Sequence, residues 1–401
     1  MMRSNTHQVS DFAAKSANGA PIRVPAGLKG VIVTDTEIGD VRGREGFYHY
    51  RQYSAIDLAR ERTLEEVWFL LFEGHLPEPA ELVHFKAEIA PFQALPESVK
   101  PLLKGIAQAG DPWSPLDALR TSLSLVCAAR SMRPCFDSTV EERRRDALWI
   151  CAQVPTLVAA LWRLRNGEEP LEPNASQSYA SNYLRMVTGT EPAPEHARAI
   201  EQYLISTIDH GFNASTFTAR VIAATGADLG ACVVGAIGAF SGPLHGGSPA
   251  RALETLDAIG RPENIEAWAR PRIEAGERMM GFGHAVYRTE DPRSRLLFEV
   301  AERLGGERVA FAKQVEREIL ALLGELKPGR ELYTNVEFYA GVLLDACGIP
   351  RPMFTSTFAT SRVIGWCANI LEQSADRQII RPSARYVGPP APQPLPATSK
   401  N

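Results

Sequence analysis

The 401-residue chain has six cysteines, Cys127, Cys135, Cys151, Cys232, Cys347 and Cys367, and none of them forms a Cys-x-x-Cys pair. That scatter excludes a zinc ribbon or a dithiol redox motif, and the apolar neighbours of each cysteine predict small core residues with reduced thiols. Basic excess is also missing: 43 Lys and Arg face 47 Asp and Glu, for a net charge of -4. The electrostatic footprint that nucleic-acid binding requires is therefore absent, and mixed-sign runs such as EERRRDAL read as solvated helix faces. No uninterrupted apolar run approaches the length of a membrane span, and the opening MMRSNTHQVSDFAAKSANG has no apolar signal core, so a soluble, unexported, cytoplasmic protein is expected. Histidine is scarce at eight residues, with no His-x-x-x-His or Cys/His spacing. No metal or other cofactor is expected.

What the chain does contain is ordinary globular material, 45% hydrophobic and 22% charged, in a length that allows two domains around a large core. Residues 1 to about 25 and the proline-dense tail GPPAPQPLPATSK read as mobile ends. β-Branched residues in GVIVTDTEIGDV suggest an extended segment, with GFYHYRQY as its hairpin partner. Beyond residue 55 the pattern is helical almost without break. In PEHARAIEQYLISTIDHG the apolar positions Ala197, Ile200, Leu204 and Ile208 recur at helical steps, with Pro194 suited to the start and Gly211 to the stop. TLEEVWFLLFEG, DALWICAQVPTLVAALWRLRNG and SRLLFEVAERLG repeat the theme, and DLGACVVGAIGAFSG is a small-residue helix built for close packing. The fold class is mainly α, with a short N-terminal β segment, no βαβ alternation and no repeat of fixed period.

Three histidines stand in unusual company. His245 lies in SGPLHGGSP and His284 in MMGFGHAVYRTEDPR, both beside glycines that let backbone approach a ligand closely, and His210 closes a helix just before GFNAS. A structural turn role would suit any one of them. GFGHAV lacks the Lys-Ser/Thr of a phosphate loop and the preceding strand of a dinucleotide fingerprint, which leaves imidazole acid chemistry. Glu337 is the other anomaly, a carboxylate in the otherwise apolar run TNVEFYAGVLLDACGIP. A buried, unpaired Glu costs several kcal/mol or takes up a proton, so either it faces water or its cost serves a function.

GPLHGGSPARALETL, GFGHAVYRTEDPRSRLL and NVEFYAGVLLDACGIP, in that order, resemble the catalytic segments of citrate synthase. The opening GLKGVIVTDTEIGDV and the closing RVIGWCANILEQ with IIRPSARYVGP resemble the ends of bacterial members, so the likeness runs from about residue 27 to 388. It implies a helical homodimer, with higher assembly left open, that takes oxaloacetate and acetyl-CoA. It also implies a large domain of residues 26–246 and 349–388 and a small domain of 247–348, with the mobile ends read from composition, 1–25 and 389–401, outside them. By the same likeness His245, His284 and Glu337 are catalytic: His245 bonds the thioester carbonyl, His284 polarises the ketone and Glu337 removes a methyl proton. His210, Asn213, Arg293 and Arg362 would bind oxaloacetate, Arg381 would do so across the dimer interface, and Arg288 would meet CoA.

Two departures stand out. YRQY at 50–53 replaces a segment with glycine in relatives, and Glu337 replaces the family's usual Asp. The extra methylene adds about 1.3 Å of reach where about 1 Å of misplacement costs a hundredfold, so a compensating backbone shift is expected. A 2-methylcitrate synthase using propionyl-CoA differs by one methylene, worth about 1–3 kcal/mol of discrimination, and no residue decides between the two. Glu337 is the only argument for a third reading, a non-catalytic homologue that binds CoA or carboxylates.

Overall fold

The computed structural model describes residues 24–245, 249–283, 287, 289–329 and 332–395. Thr36–Ile379 form one compact unit, while the described residues before Thr36 and after Ile379 cluster separately. The mobile-end reading of residues 1–23 and 396–401 falls outside the described residues; 389–395 are exposed and irregular.

Near the start of the larger unit, β1 (Gly39–Arg42), β2 (Phe47–Tyr50) and β3 (Tyr53–Ser54) form an antiparallel sheet, with Gly39 opposite Tyr50 and Tyr50 opposite Tyr53. The expected strand is shorter than its sequence suggested: Val31–Val33 are β-branched but exposed, and make no ladder. The tight turn after β2 holds Arg51 at φ 50°. Glycine enters that region without steric cost, which is a physical reason for the glycine that the resemblance leads one to expect there. Arg51 keeps the turn with side chain and backbone together, donating from Nη2 to the Leu71 carbonyl at 2.6 Å and from its N–H to Ile38 O at 2.8 Å.

The helices follow as α1 (Ala55–Glu61), α2 (Leu64–Glu73), α3 (Pro79–Ile89), α4 (Lys100–Gln108), α5 (Pro115–Arg130), α6 (Val140–Arg165), α7 (Tyr179–Thr188) and α8 (Pro194–Thr207). Then come α9 (Ala214–Ala223), α10 (Leu229–Phe240), α11 (Pro249–Ile259), α12 (Ile265–Glu274), α13 (Pro292–Leu304), α14 (Glu307–Leu326), α15 (Val336–Ala346) and α16 (Phe354–Ala375). Their limits are set locally. Thr63 and Glu66 close a capping box at α2, Thr139 and Glu142 do so at α6, and Gly74 ends α2 in the left-handed region.

Two long helices carry the core. α6 is long and apolar enough to cross a bilayer, but its apolar stretch is buried, against α4, α5, α7 and α16. Pro155 inside it breaks the backbone ladder. Beside it, Gln153 Nε2 donates to Ala94 O at 2.8 Å and Thr156 to Gln93 O at 2.9 Å, so polar groups at this break serve a neighbouring loop. The EERRRDAL stretch departs from a purely solvated face. Arg143 and Arg144 are half-buried, and Arg144 bridges Glu73 at 2.6 Å and Glu88 at 2.7 Å. All six cysteines are buried free thiols. α16 packs against α6, α8, α9 and α10, whereas α11, α13 and α14 gather around α15. α8 touches α13, α15 and α16, and the candidate site lies at that meeting.

Candidate active site

The site begins at the C-terminal end of α8, whose last carbonyls lack helical partners. Tyr48 on β2 donates to Ser206 O at 2.9 Å and Tyr50 to Ile205 O at 2.8 Å. Arg362 Nε of α16 donates to Thr207 O at 2.8 Å. A continuing helix would offer that last carbonyl to the Gly211 N–H, which instead bonds Asp209 Oδ2 at 3.0 Å. The helix therefore stops at Thr207, earlier than Gly211, and His210 lies in the loop beyond it. α16 comes this close because of Gly365, where a Cβ would fall 2.2 Å from Ile208 O. His210 Nε2 meets the Tyr287 hydroxyl at 2.9 Å, and its ring lies 5.4 Å from that of Tyr48.

Next along the chain, Asn213 caps α9. Its Oδ1 accepts from Thr216 N at 3.1 Å and lies 2.8 Å from the Ser215 Oγ. Asn213, which the resemblance makes a substrate-binding residue, uses this oxygen to fix Ser215. Ser215 is buried and turns to His245, its N–H lying 3.1 Å and its Oγ 2.8 Å from the imidazole Nε2. A backbone N–H can only donate, so Nε2 is an acceptor and the ring proton belongs on Nδ1. Burial, with the Arg362 charge second, lowers the His245 pKa to about 4. The ring is thus neutral at pH 7 and presents Nδ1–H as a donor. Trp366 Nε1 donates to the same Ser215 oxygen at 3.1 Å, and Phe240 meets the ring edge-on at 5.6 Å.

The Glu337 side of the site is held by backbone. Gly283 N–H donates to Tyr333 O at 2.8 Å and Asn335 N–H to Gly281 O at 2.9 Å, around a bridge between Phe282 and Thr334. Gly281 has φ 86°, and a Cβ there would meet Phe338 at 2.9 Å, so glycine is needed for this approach. Asn335 caps α15 by accepting from Glu337 N at 3.0 Å, while its Nδ2 donates to Gly283 O at 3.0 Å. The half-buried Glu337 therefore stands in the first turn of α15, where backbone N–H groups favour negative charge. Behind the turn, both oxygens of Glu316 on α14 are engaged, one by Thr334 Oγ1 at 2.6 Å and the other by the Tyr339 hydroxyl. His284 and Arg288 lie outside the described residues.

Two buried arginines complete the described site. Arg293 forms a double contact with Asp291, Nε to Oδ1 at 3.0 Å and Nη2 to Oδ2 at 2.8 Å. Asp291 Oδ2 also accepts from Val336 N at 3.2 Å. Arg362 stacks on Phe358, its Cζ 4.6 Å from the ring centroid. It has no carboxylate within ion-pair distance among the described residues. Burial depresses its pKa; nearby Asp209 opposes this and Arg293 adds to it. Asp209 itself is pushed up to about 6 by burial, with Arg362 the leading opposing charge. Arg381 belongs to the smaller unit and is exposed there. No group of three or more potential metal ligands occurs among the described residues.

Ser215, Asp291, Glu316 and Tyr287 carry no motif of their own, because their importance comes from partners distant in sequence. The nearest signal was proximity: Asp291 and Tyr287 lie within the quoted GFGHAVYRTEDPR segment, and Ser215 follows GFNA.

Comparison with known proteins agrees with this assembly. The family described as "Citrate synthase, C-terminal domain" matches residues 27–383. Citrate synthase of Deinococcus radiodurans is 35% identical over 91% of this chain and 96% of its own. Citrate synthase 2 of Bacillus subtilis is 37% identical over 90% and 95%. Among solved structures, citrate synthase of Thermotoga maritima superposes with TM-score 0.80 at 32% identity, covering 93% of this chain and 98% of its own. The Thermoplasma acidophilum enzyme, in a ternary complex with carboxymethyl coenzyme A and oxaloacetate, gives 0.84 at 28% identity, with 93% and 98% covered. Three ordered motifs, a neutral histidine held by Ser215, a carboxylate at a helix N-terminus and a match over nearly the whole chain lead to one conclusion: the protein belongs to the citrate synthase family.

Proposed function

We propose that this acyltransferase-type enzyme condenses acetyl-CoA with oxaloacetate to citryl-CoA and hydrolyses it to citrate and CoA. The observation that carries the reading is His245, a half-buried neutral imidazole with Nε2 occupied by Ser215 and its proton on Nδ1. A thioester methyl is a very weak carbon acid and a carboxylate a weak base, so proton transfer needs a donor already aimed at the oxygen where charge develops. His245 supplies that donor and Glu337 the base. The enol carbon then attacks the ketone of oxaloacetate as His284 protonates its oxygen, and water cleaves the thioester to release CoA.

Binding follows from charge. In a chain of net charge -4, a dicarboxylate needs cations gathered locally; Arg362 offers one without a carboxylate partner, Arg293 a second and His210 a polar contact. Arg288 would meet CoA. Arg381 would complete the site from a second subunit, and the partly exposed small-residue face of α10, with Val234, Gly235, Gly238 and Ala239, suits helix packing between subunits. Residues 247–348, as a small domain, would close on a large domain of 26–246 and 349–388. Absence of cofactor chemistry fits the donor and base roles.

The test is thiol release from acetyl-CoA or propionyl-CoA with oxaloacetate. Release from acetyl-CoA, faster than from propionyl-CoA, is expected. Faster release from propionyl-CoA would reassign the enzyme as a 2-methylcitrate synthase, and no release from either would make it a binding homologue.

A further inference from the structure

Seven tyrosines are buried in the described structure, and six of their hydroxyls are bonded. Tyr48 donates to Ser206 O, Tyr50 to Ile205 O and Tyr179 to Thr360 O. Tyr183 pairs with Thr357, Tyr287 with His210 and Tyr339 with Glu316. Tyr203 differs: its side chain is fully buried and its hydroxyl has no partner. A buried donor without an acceptor is costly, and its presence in a native fold calls for an explanation.

Its placement suggests one. Tyr203 lies one turn before Thr207, so the two share a face of α8, and the Thr207 carbonyl receives Arg362 Nε at 2.8 Å. The Tyr203 ring meets Phe358 edge-on at 6.4 Å, while the Arg362 guanidinium lies 4.6 Å over the same Phe358 ring. The Tyr203 ring and the Arg362 guanidinium thus contact one aromatic ring. Burial raises the Tyr203 pKa, and among the charges that act on it Arg362 comes first, ahead of Glu337 and Arg293. The phenol therefore stays protonated as a donor.

We propose that Tyr203 and Arg362 form one carboxylate subsite, in which the phenol donates to the substrate carboxylate that Arg362 neutralises. This rests on the oxaloacetate reading above and adds to it a residue that no motif marked. Bound carboxylate supplies the acceptor that the ligand-free fold denies the hydroxyl, so part of the binding free energy is the relief of an unmet hydrogen bond. Specificity follows too: a ligand with a neutral group in place of this carboxylate leaves both donors unsatisfied.

The experiment is calorimetric binding of oxaloacetate to the full chain, wild type and Tyr203→Phe, with thermal unfolding of each without ligand. Phe keeps the ring against Phe358 and removes only the oxygen. Binding about tenfold weaker is expected, since hydrogen bonds to charged groups are the stronger class. The ligand-free unfolding temperature should be unchanged or higher by about 1–2 °C, because the costly unpaired donor is gone. Wild-type affinity in Tyr203→Phe overturns the proposal, and so does a lowered unfolding temperature, which would reveal a structural partner. If wild-type protein binds no oxaloacetate, or Arg362→Lys binds it equally well, the underlying site reading fails and this subsite with it; wild-type binding with only Tyr203→Phe unaffected sinks the subsite alone.

Discussion

Arg293 and Arg362 are both buried, yet they are treated in opposite ways. The first is gripped by Asp291 through two contacts, and Asp291 also holds the Val336 N–H at the start of α15. The second has a backbone carbonyl, an aromatic ring and no carboxylate within ion-pair reach among the described residues. A paired buried charge is part of the architecture, and removing one partner strands the other. A buried charge with no carboxylate in ion-pair reach, only Asp209 nearby, is held at a cost by the rest of the fold, and an arriving anion lowers that cost. The Arg293 corner therefore also holds the turn that carries Glu337, and the Arg362 corner is, on the proposed reading, the one that gains most when a substrate carboxylate arrives.

The largest expected effect probes the first corner. Glu337→Gln keeps shape but removes the basic oxygen, so turnover should fall at least about a hundredfold while oxaloacetate affinity, which on the proposed reading rests on the arginines and His210, holds. Glu337→Asp should also be slow, being about 1.3 Å short in a backbone set for the longer residue. A fully active Gln variant removes Glu337 from the chemistry, and an Asp variant faster than wild type shows that the backbone never adjusted.

A paired substitution then sets the corners against each other. Arg293→Ala should lower unfolding free energy by about 3–5 kcal/mol, leaving Asp291 buried and unpaired. Arg362→Ala should cost far less stability but weaken oxaloacetate binding about a hundredfold. Denaturant unfolding and calorimetry on both variants decide it, and the reverse pattern would dissolve the contrast.

The smallest effect is a flat line. The His245 pKa is lowered to about 4 from an ordinary 6.5, so the folded state prefers the neutral ring. Its contribution to stability is complete above pH 6.5 and is lost as pH falls from there toward 4. Nitrogen NMR of the ring should accordingly show an unchanged Nδ1-protonated tautomer between pH 8 and 5.5. A midpoint near 6.5 would contradict both the burial and the donor role.

Much of this was readable where the cause was local. The Pro194 start of α8 and the glycines beside His245 depend on neighbours a few residues away, and the sequence shows them. The stop of α8 was misread because Arg362, far along the chain, takes the Thr207 carbonyl. Val31–Val33 looked like a strand because β-branching is a preference, and preference makes no ladder without a partner. Arg51 was opaque until its φ of 50° was known. Ser215, Glu316 and Tyr203 left no trace, since a lone hydroxyl or carboxylate has meaning only through what the fold brings to it.

The bridge of Gly281–Gly283 to Tyr333–Asn335 bears on how such a protein can change over generations. The segment leading into His284 and the turn that carries Glu337 are tied by main-chain bonds, so neither can shift alone. An acid of different length at position 337 cannot be accommodated by sliding one helix back alone. It must move the histidine's approach in the same step or find slack in side chains such as Thr334 and Tyr339 on Glu316. On the proposed reading, a change in the length of the acid at 337 therefore bears on the backbone that leads toward residue 284 as well as on its own turn.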